Sequence, residues 1–403
     1  MRLAHVGIIL IGALVGTGLS AVILKHVPTP YGWIFFLWFI LLVACFRIVS
    51  ETNLRAFCVN VAAVMVCGGL AEFYLAYANA SKAEPKSEEE GYRMEGTITQ
   101  RYTNESHPVL GRAPYPDVSV TARKYYGEEL VYDVVYTIDE HGLRIAPPTG
   151  SGEILGCLLF FGGSFTIGEG VHDYESMPYR VGELTNGSYR VYNFGFHGYG
   201  PHQMLAAFEA GLVDSAIECE PDYVIYQALD RHVLRSAGVA GWGSNGPRFV
   251  AQSDGGVVLG GTFEQAPVRN QLGHAFQRQL TKSNIYGKVV GHSQARLLDS
   301  DDFLTFGAIV GQARKHVQRM NPDAQFHVVL WNLDSSLSPH VAAEFTSRAI
   351  TYHPVLGNIL PDGNYREHFA LGPFDHHPNS RAYDLIARYV VEEVLKYRYK
   401  SMD

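Results

Sequence analysis

The chain begins with long apolar runs and continues with short alternating ones. Residues 6–24 and 27–46 carry no charge, and each approaches the roughly 20 residues that a membrane helix needs. Residues 56–71 form a third run. It is shorter, contains Asn60, and meets Glu72 before Phe73-Tyr74-Leu75 resumes it. The pattern predicts transmembrane helices over residues 1–80, three rather than two. A cleaved signal peptide would explain the first run but not the others. Residues 81–92 are dense in Lys and Glu and read as a charged linker.

The period then changes. Within 93–150, Val118 and Val120 alternate with polar neighbours, and Leu130, Tyr132, Val134 and Tyr136 share one face of a strand. This predicts a small β-rich region. From 151 to 403, strand-length apolar runs at 157–161, 189–193, 222–229 and 326–333 alternate with helix-period segments at 174–184, 201–212, 302–319, 339–350 and 379–397. The last segment carries a stripe of Tyr383, Ile386, Ala387, Val390, Val391 and Val394, the pattern of a core-facing helix. Such alternation predicts an α/β domain, with helices on both faces of a parallel sheet. Residues 238–300 interrupt it as an insertion, with a hairpin turn near Asp254-Gly255-Gly256.

Of the 403 residues, 18% are charged, below the quarter that is usual, and the deficit lies in the N-terminal runs. The net charge of −8 and the lack of basic runs argue against a nucleic-acid partner. Arg2, Arg47 and Arg55 would be cytoplasmic under the positive-inside rule. Three spans then place everything after Tyr77 outside the cytoplasm, although Lys25, Lys82 and Lys86 oppose this. The bilayer is thus an expected partner. Among five cysteines, no spacing suggests a disulfide framework or a zinc site.

Three stretches carry candidate chemistry. In CLLFFGGSFTIGEGV, Ser164 follows an apolar strand and two glycines. A serine there would lie in the crevice where open α/β sheets bind ligands; a plain strand-to-helix turn reads the same way. In NFGFHGYG, residues 193–200, three glycines follow a strand and suit backbone amides that face an anion, or again a simple turn. In Asp375-His376-His377-Pro378-Asn379, an Asp stands close enough to orient an imidazole, or Asn379 merely caps the next helix. Adjacent His376 and His377 rarely converge on one ion, so no metal is expected.

Together these stretches resemble the SGNH, or GDSL, hydrolase family over roughly residues 155–399. The resemblance implies a flavodoxin-like three-layer sandwich around a parallel sheet, and no cofactor. It implies Ser164 as nucleophile, His377 as base and Asp375 as its orienting acid. The amides of Ser164 and Gly198 would form the oxyanion hole. The family's third block ends in an asparagine that also donates there. Here the strand ends Gln227-Ala228-Leu229-Asp230-Arg231-His232, so Arg231 falls at that position. His197, Tyr199 and His232 are candidate substrate contacts. The implied function is a membrane-anchored esterase acting on an acyl ester, such as an acetyl ester. One alternative is an O-acyltransferase that modifies an exported glycan and needs a partner membrane protein. Another is an inactive hydrolase fold that serves binding or assembly.

Overall fold

The computed structural model describes residues 13–20, 22–23, 27, 30–49, 51–82, 91–240, 243–266, 283–286, 298–361, 363, 365–373 and 375–397. Much of the first apolar run and most of the 238–300 insertion beyond 266 lie outside them. The chain forms two compact units.

The first unit is Met1–Lys86 with Pro267–Ser293; among its described residues, two helices are long and apolar enough to cross a membrane. They are Pro30–Ile48 and Thr52–Lys82. Small residues let them pack closely. Gly32 lies under the Phe73 ring, and Gly68 and Gly69 lie against Phe35. The second helix runs well past 71, the end expected from hydropathy. Glu72 does not break it, because its carboxylate is buried and fully engaged. It accepts from the Ser283 hydroxyl, from the amides of Asn284 (2.8 Å) and Ile285 (3.1 Å), and from Asn284 Nδ2 (3.2 Å). A buried carboxylate with such partners avoids the penalty that an unpaired one would incur.

The second unit, Ser87–Ala266 with Gln294–Asp403, is built on a five-stranded sheet. Strands β1 to β5 come first in the chain: Tyr92–Glu95, Thr103–His107, Gly111–Pro114, Val118–Tyr126 and Glu129–Ile138. The main sheet then uses β6 (Gly156–Gly162), β7 (Tyr189–Asn193), β8 (Pro221–Leu229), β11 (Gln325–Trp331) and β12 (Thr351–Pro354), with β9 (Pro247–Ala251) and β10 (Val257–Thr262) forming the expected hairpin. The order is β12-β11-β8-β6-β7, every pair parallel. Counted in chain order from the β7 edge this is 2-1-3-4-5, the flavodoxin-like order. The chain therefore turns from one side of the sheet to the other at β6, and the crevice opens between the carboxyl ends of β6 and β8.

Each face of the sheet has its own core. Leu159, Phe161, Val224 and Tyr226 pack on one side with Leu205, Phe306 and Phe345 from the helices Pro201–Glu209, Ser300–Met320 and Ser338–Ser347. Leu158, Phe160 and Ile225 pack on the other with Val181, Tyr383 and Ile386, from the helices Met177–Leu184 and Ser380–Tyr389. The predicted stripe from Tyr383 to Val394 is buried throughout.

β12 was not expected. It is four residues long and ends in Pro354, too short to show a period. A second correction concerns Leu130. It is 50% exposed, whereas Tyr132, Val134 and Tyr136 are buried. The ladder pairs Lys124 with Tyr132 but Tyr125 with Leu130, so a bulge at Val131 turns Leu130 outward. A third concerns the cysteines: Cys157 and Cys219 form a disulfide, with Cα atoms 6.2 Å apart. Their separation of 62 residues left no local signal.

The β1-β4-β5 sheet forms a third core. Tyr102, Val120, Tyr132, Tyr136 and Ile138 pack there with Ile167, Phe196 and Tyr199. The last three belong to the turns that leave β6 and β7. The β-rich region thus rests directly on the segments that carry the candidate chemistry.

Candidate active site

β6 ends at Gly162, and Ser164 begins the short helix Ser164–Ile167. Gly163 between them admits no side chain. A Cβ there would lie 2.6 Å from the Arg235 guanidinium, 3.0 Å from the Tyr199 carbonyl oxygen and 3.3 Å from His232 Nε2. Ser164 is buried. Among the described residues, its amide and that of Gly198 donate to no acceptor, and its hydroxyl makes no hydrogen bond, to His377 or to any other group.

The turn after Ser164 is clamped from the β-rich region. Arg144 is fully buried, pairs with Asp173 at 2.8 Å, and donates to the carbonyls of Ile167 (2.5 Å), Gly168 (2.7 Å) and Val171 (2.8 Å). Gly168 and Gly170 both have φ of 83°, which loops the backbone so that Glu169 between them turns into the site. From the neighbouring strand, Asn193 Nδ2 donates to the Thr166 carbonyl at 3.1 Å, and its oxygen accepts from the Gly195 amide at 3.0 Å.

Asp375 and His377 meet as their spacing suggested. Asp375 Oδ1 lies 2.7 Å from His377 Nδ1 and also accepts from the His377 amide at 2.9 Å. The imidazole packs 5.2 Å from the ring of Phe165, the residue after Ser164. Its other nitrogen, Nε2, lies 3.4 Å from Glu169 Oε2. The same Glu169 oxygen is 2.7 Å from His197 Nδ1, and His197 Nε2 is 3.1 Å from the Tyr102 hydroxyl. Lys124, from β4, donates to Asp375 Oδ2 at 2.7 Å and lies 3.6 Å from Glu169 Oε1.

The charges in this group shift one another. Burial would raise the Glu169 carboxyl, but His377, His197 and Lys124 hold it well below the ordinary carboxylate range. Asp375 is likewise lowered against burial, by His377 and Lys124. Burial would lower His377, yet Glu169 and Asp375 outweigh it and raise the imidazole. Ligand atoms of Glu169, Asp375 and His377 lie within 4.8 Å of one another, a spread that would suit a metal ion. The Lys124 ammonium bridges the two carboxylates.

The other candidates stand elsewhere. Arg231 does not reach the Ser164 turn; its side chain is 60% exposed and faces Asp334 at 3.8 Å. It is the N-cap of the helix His232–Ser236. His232 is fully buried, with Nδ1 2.7 Å from the Tyr226 hydroxyl and Nε2 3.1 Å from Arg235 Nη1. It presents no surface to a substrate. Arg235, one helical turn beyond Arg231, is the arginine that reaches the turn, donating to the Tyr199 carbonyl at 2.5 Å. Tyr199 is buried and donates its hydroxyl to the Arg112 carbonyl at 2.7 Å. With Phe161, Phe194, Phe196 and Gln203 it lines a cavity of about 290 Å³ behind the β6 and β7 turns, whose lining does not include Ser164.

Four residues that sequence reasoning passed over thus shape the site: Lys124, Arg144, Glu169 and Arg235. Glu169 was visible as the one charge within its Gly-rich block. Lys124 left no trace, standing 251 residues from Asp375.

The chain matches no protein-family model and no curated protein. Some solved structures follow a similar path in part. A protein from Desulfitobacterium hafniense, described as lipolytic and of the G-D-S-L family, aligns at 13% identity and a TM-score of 0.30, over 58% of this chain and 97% of its own. A family two carbohydrate esterase from Clostridium thermocellum, in complex with cellohexaose, aligns at 11% identity and a TM-score of 0.36, over 63% and 68%. An acetyl xylan esterase from Butyrivibrio proteoclasticus aligns at 13% identity and 0.34, over 63% and 67%. Likeness at this level says nothing of what this chain binds or turns over.

Proposed function

We propose that the second unit is a serine esterase of the SGNH type, anchored to a membrane by the apolar helices of the first. The observation that carries this reading is the Asp375–His377 contact at 2.7 Å, beside the Ser164 turn at the carboxyl end of β6. The strand order supports it, because the ends of β6 and β8 flank the crevice in which such sheets bind ligands.

The chemistry follows from the roles of the groups. Ser164 Oγ attacks the acyl carbon while its proton passes to His377 Nε2, and Asp375 steadies the imidazolium. The unpartnered amides of Ser164 and Gly198 hold the oxygen on which charge develops. The ester C–O bond then breaks, and the alcohol leaves with the proton from His377. Water, activated by the same imidazole, releases the acid from Ser164. The burial of Ser164 favours a short acyl group such as acetyl.

The Cys157–Cys219 disulfide supports an oxidising, extracytoplasmic location for this unit, in keeping with Arg47 and Arg55 on the cytoplasmic side of the spans. The test is turnover of 4-nitrophenyl acetate by the full chain in detergent. Ser164→Ala should abolish it with the melting temperature unchanged. Undiminished turnover in that folded variant would overturn the assignment.

A further inference from the structure

Glu169 has no part in that mechanism, yet it occupies the atom on which the mechanism depends. Of the two nitrogens of His377, Nδ1 faces Asp375 at 2.7 Å and Nε2 faces Glu169 at 3.4 Å. A carboxylate that faces a ring nitrogen favours the form carrying a hydrogen there, since two acceptors repel. An imidazole between two carboxylates is therefore biased toward the doubly protonated form, which takes no proton from serine. In keeping with this, the Ser164 hydroxyl makes no hydrogen bond to His377 among the described residues.

We propose that Glu169 is a positioning residue that competes with Ser164 for Nε2 of His377, holding the base in reserve until its carboxylate is drawn away. The inference rests on the serine-esterase reading. Two groups stand ready to draw Glu169 off. His197 Nδ1, from the turn after β7, lies 2.7 Å from the same oxygen, and the Lys124 ammonium lies 3.6 Å from the other. The backbone on either side of Glu169 is fixed, by Arg144 on the Gly168 carbonyl and by Tyr136 on the Gly170 amide, so only its side chain has to turn.

The groups that face His377 come from every element packed on it. Asp375 comes from its own loop, Glu169 from the loop after Ser164, and Lys124 from β4, while Phe165 brings no charge. His197 and Tyr102 act through Glu169. Without the Glu169 charge, Asp375 still raises the imidazole and Lys124 lowers it by less, but the largest force opposing burial is gone. The imidazole should then lose its proton at lower pH.

The test uses the full chain in detergent and two readouts. One is the pH at which the His377 ring titrates by NMR. The other is the rate at which a fluorophosphonate labels Ser164, followed across pH. In Glu169→Gln the titration should fall by about one unit, so that labelling below it runs about tenfold faster. Glu169→Asp, with the charge kept but withdrawn by one methylene, should fall between this variant and the native chain. It also serves if the glutamine variant does not fold. A His377 titration that is the same in all three proteins would overturn the inference. If Ser164 is never labelled, the esterase reading fails by itself, and the NMR titration still decides the role of Glu169.

Discussion

The Ser164 turn separates histidines of opposite character. On one side His377 lies between Asp375 and Glu169, and its imidazole is raised above the ordinary value despite burial. On the other, burial and the Arg235 guanidinium lower His232 well below that value and push His202 down to about 3. Burial is common to all three and alone expels charge from a ring. The sign of the neighbour decides the outcome. Two carboxylates make one side a place that stores protons. Burial, reinforced by one guanidinium, keeps the imidazoles of the other side neutral. A base and an oxyanion site need these two properties, and the fold keeps them on separate sides of Gly163.

The largest effect is expected on the proton-storing side. Asp375→Asn should lower kcat by about 10⁴-fold, as loss of the orienting carboxylate does in serine hydrolases, and steady-state kinetics on an acetyl ester would measure it. A loss below tenfold would mean that His377 does not depend on Asp375.

A smaller effect concerns Asp230, fully buried at the end of β8. Burial pushes its carboxyl up to about 6, against hydrogen bonds from Ser338 (2.6 Å) and the Asp334 amide (2.5 Å). The folded state therefore binds a proton that the unfolded chain has already lost, and stability should fall as pH rises from about 4 to about 6. The predicted loss is on the order of 1–3 kcal/mol. Asp230→Asn should flatten that part of the stability curve in denaturant titrations. A native curve already flat between those pH values would contradict the assignment.

The smallest effect is the most discriminating. Arg231 stands where the family pattern expects an oxyanion donor, but its side chain is exposed and faces Asp334. Arg231→Ala should change kcat/KM less than about twofold and stability by no more than about 0.5 kcal/mol. A hundredfold loss of kcat, the scale of a missing oxyanion donor, would show that Arg231 turns inward during reaction.

Much of the architecture was legible because period is a local property. The apolar runs of β6, β7, β8 and β11 and the stripe from Tyr383 to Val394 each declared an element. β12 escaped because four residues ending in proline have no period. The bulge at Val131 escaped because it depends on pairing with β4. Hydropathy stopped the second membrane-length helix at Glu72, because the donors that satisfy it come from residues more than two hundred positions away. The site divides in the same way. Asp375 and His377 meet because they stand two positions apart on one loop. Counting along the chain led to Arg231, whereas the helical turn that follows carries Arg235 to Tyr199. Lys124 and Arg144, supplied by the β-rich region, were invisible because only the third core brings them to the Ser164 turn.

The most direct measurement of the central claim is the mass of the peptide that contains Ser164 after the full chain has reacted with a fluorophosphonate. One phosphonyl adduct is expected, on Ser164, formed by the native chain and not by His377→Ala. An adduct on another residue, or equal labelling of Ser164 without His377, would contradict it.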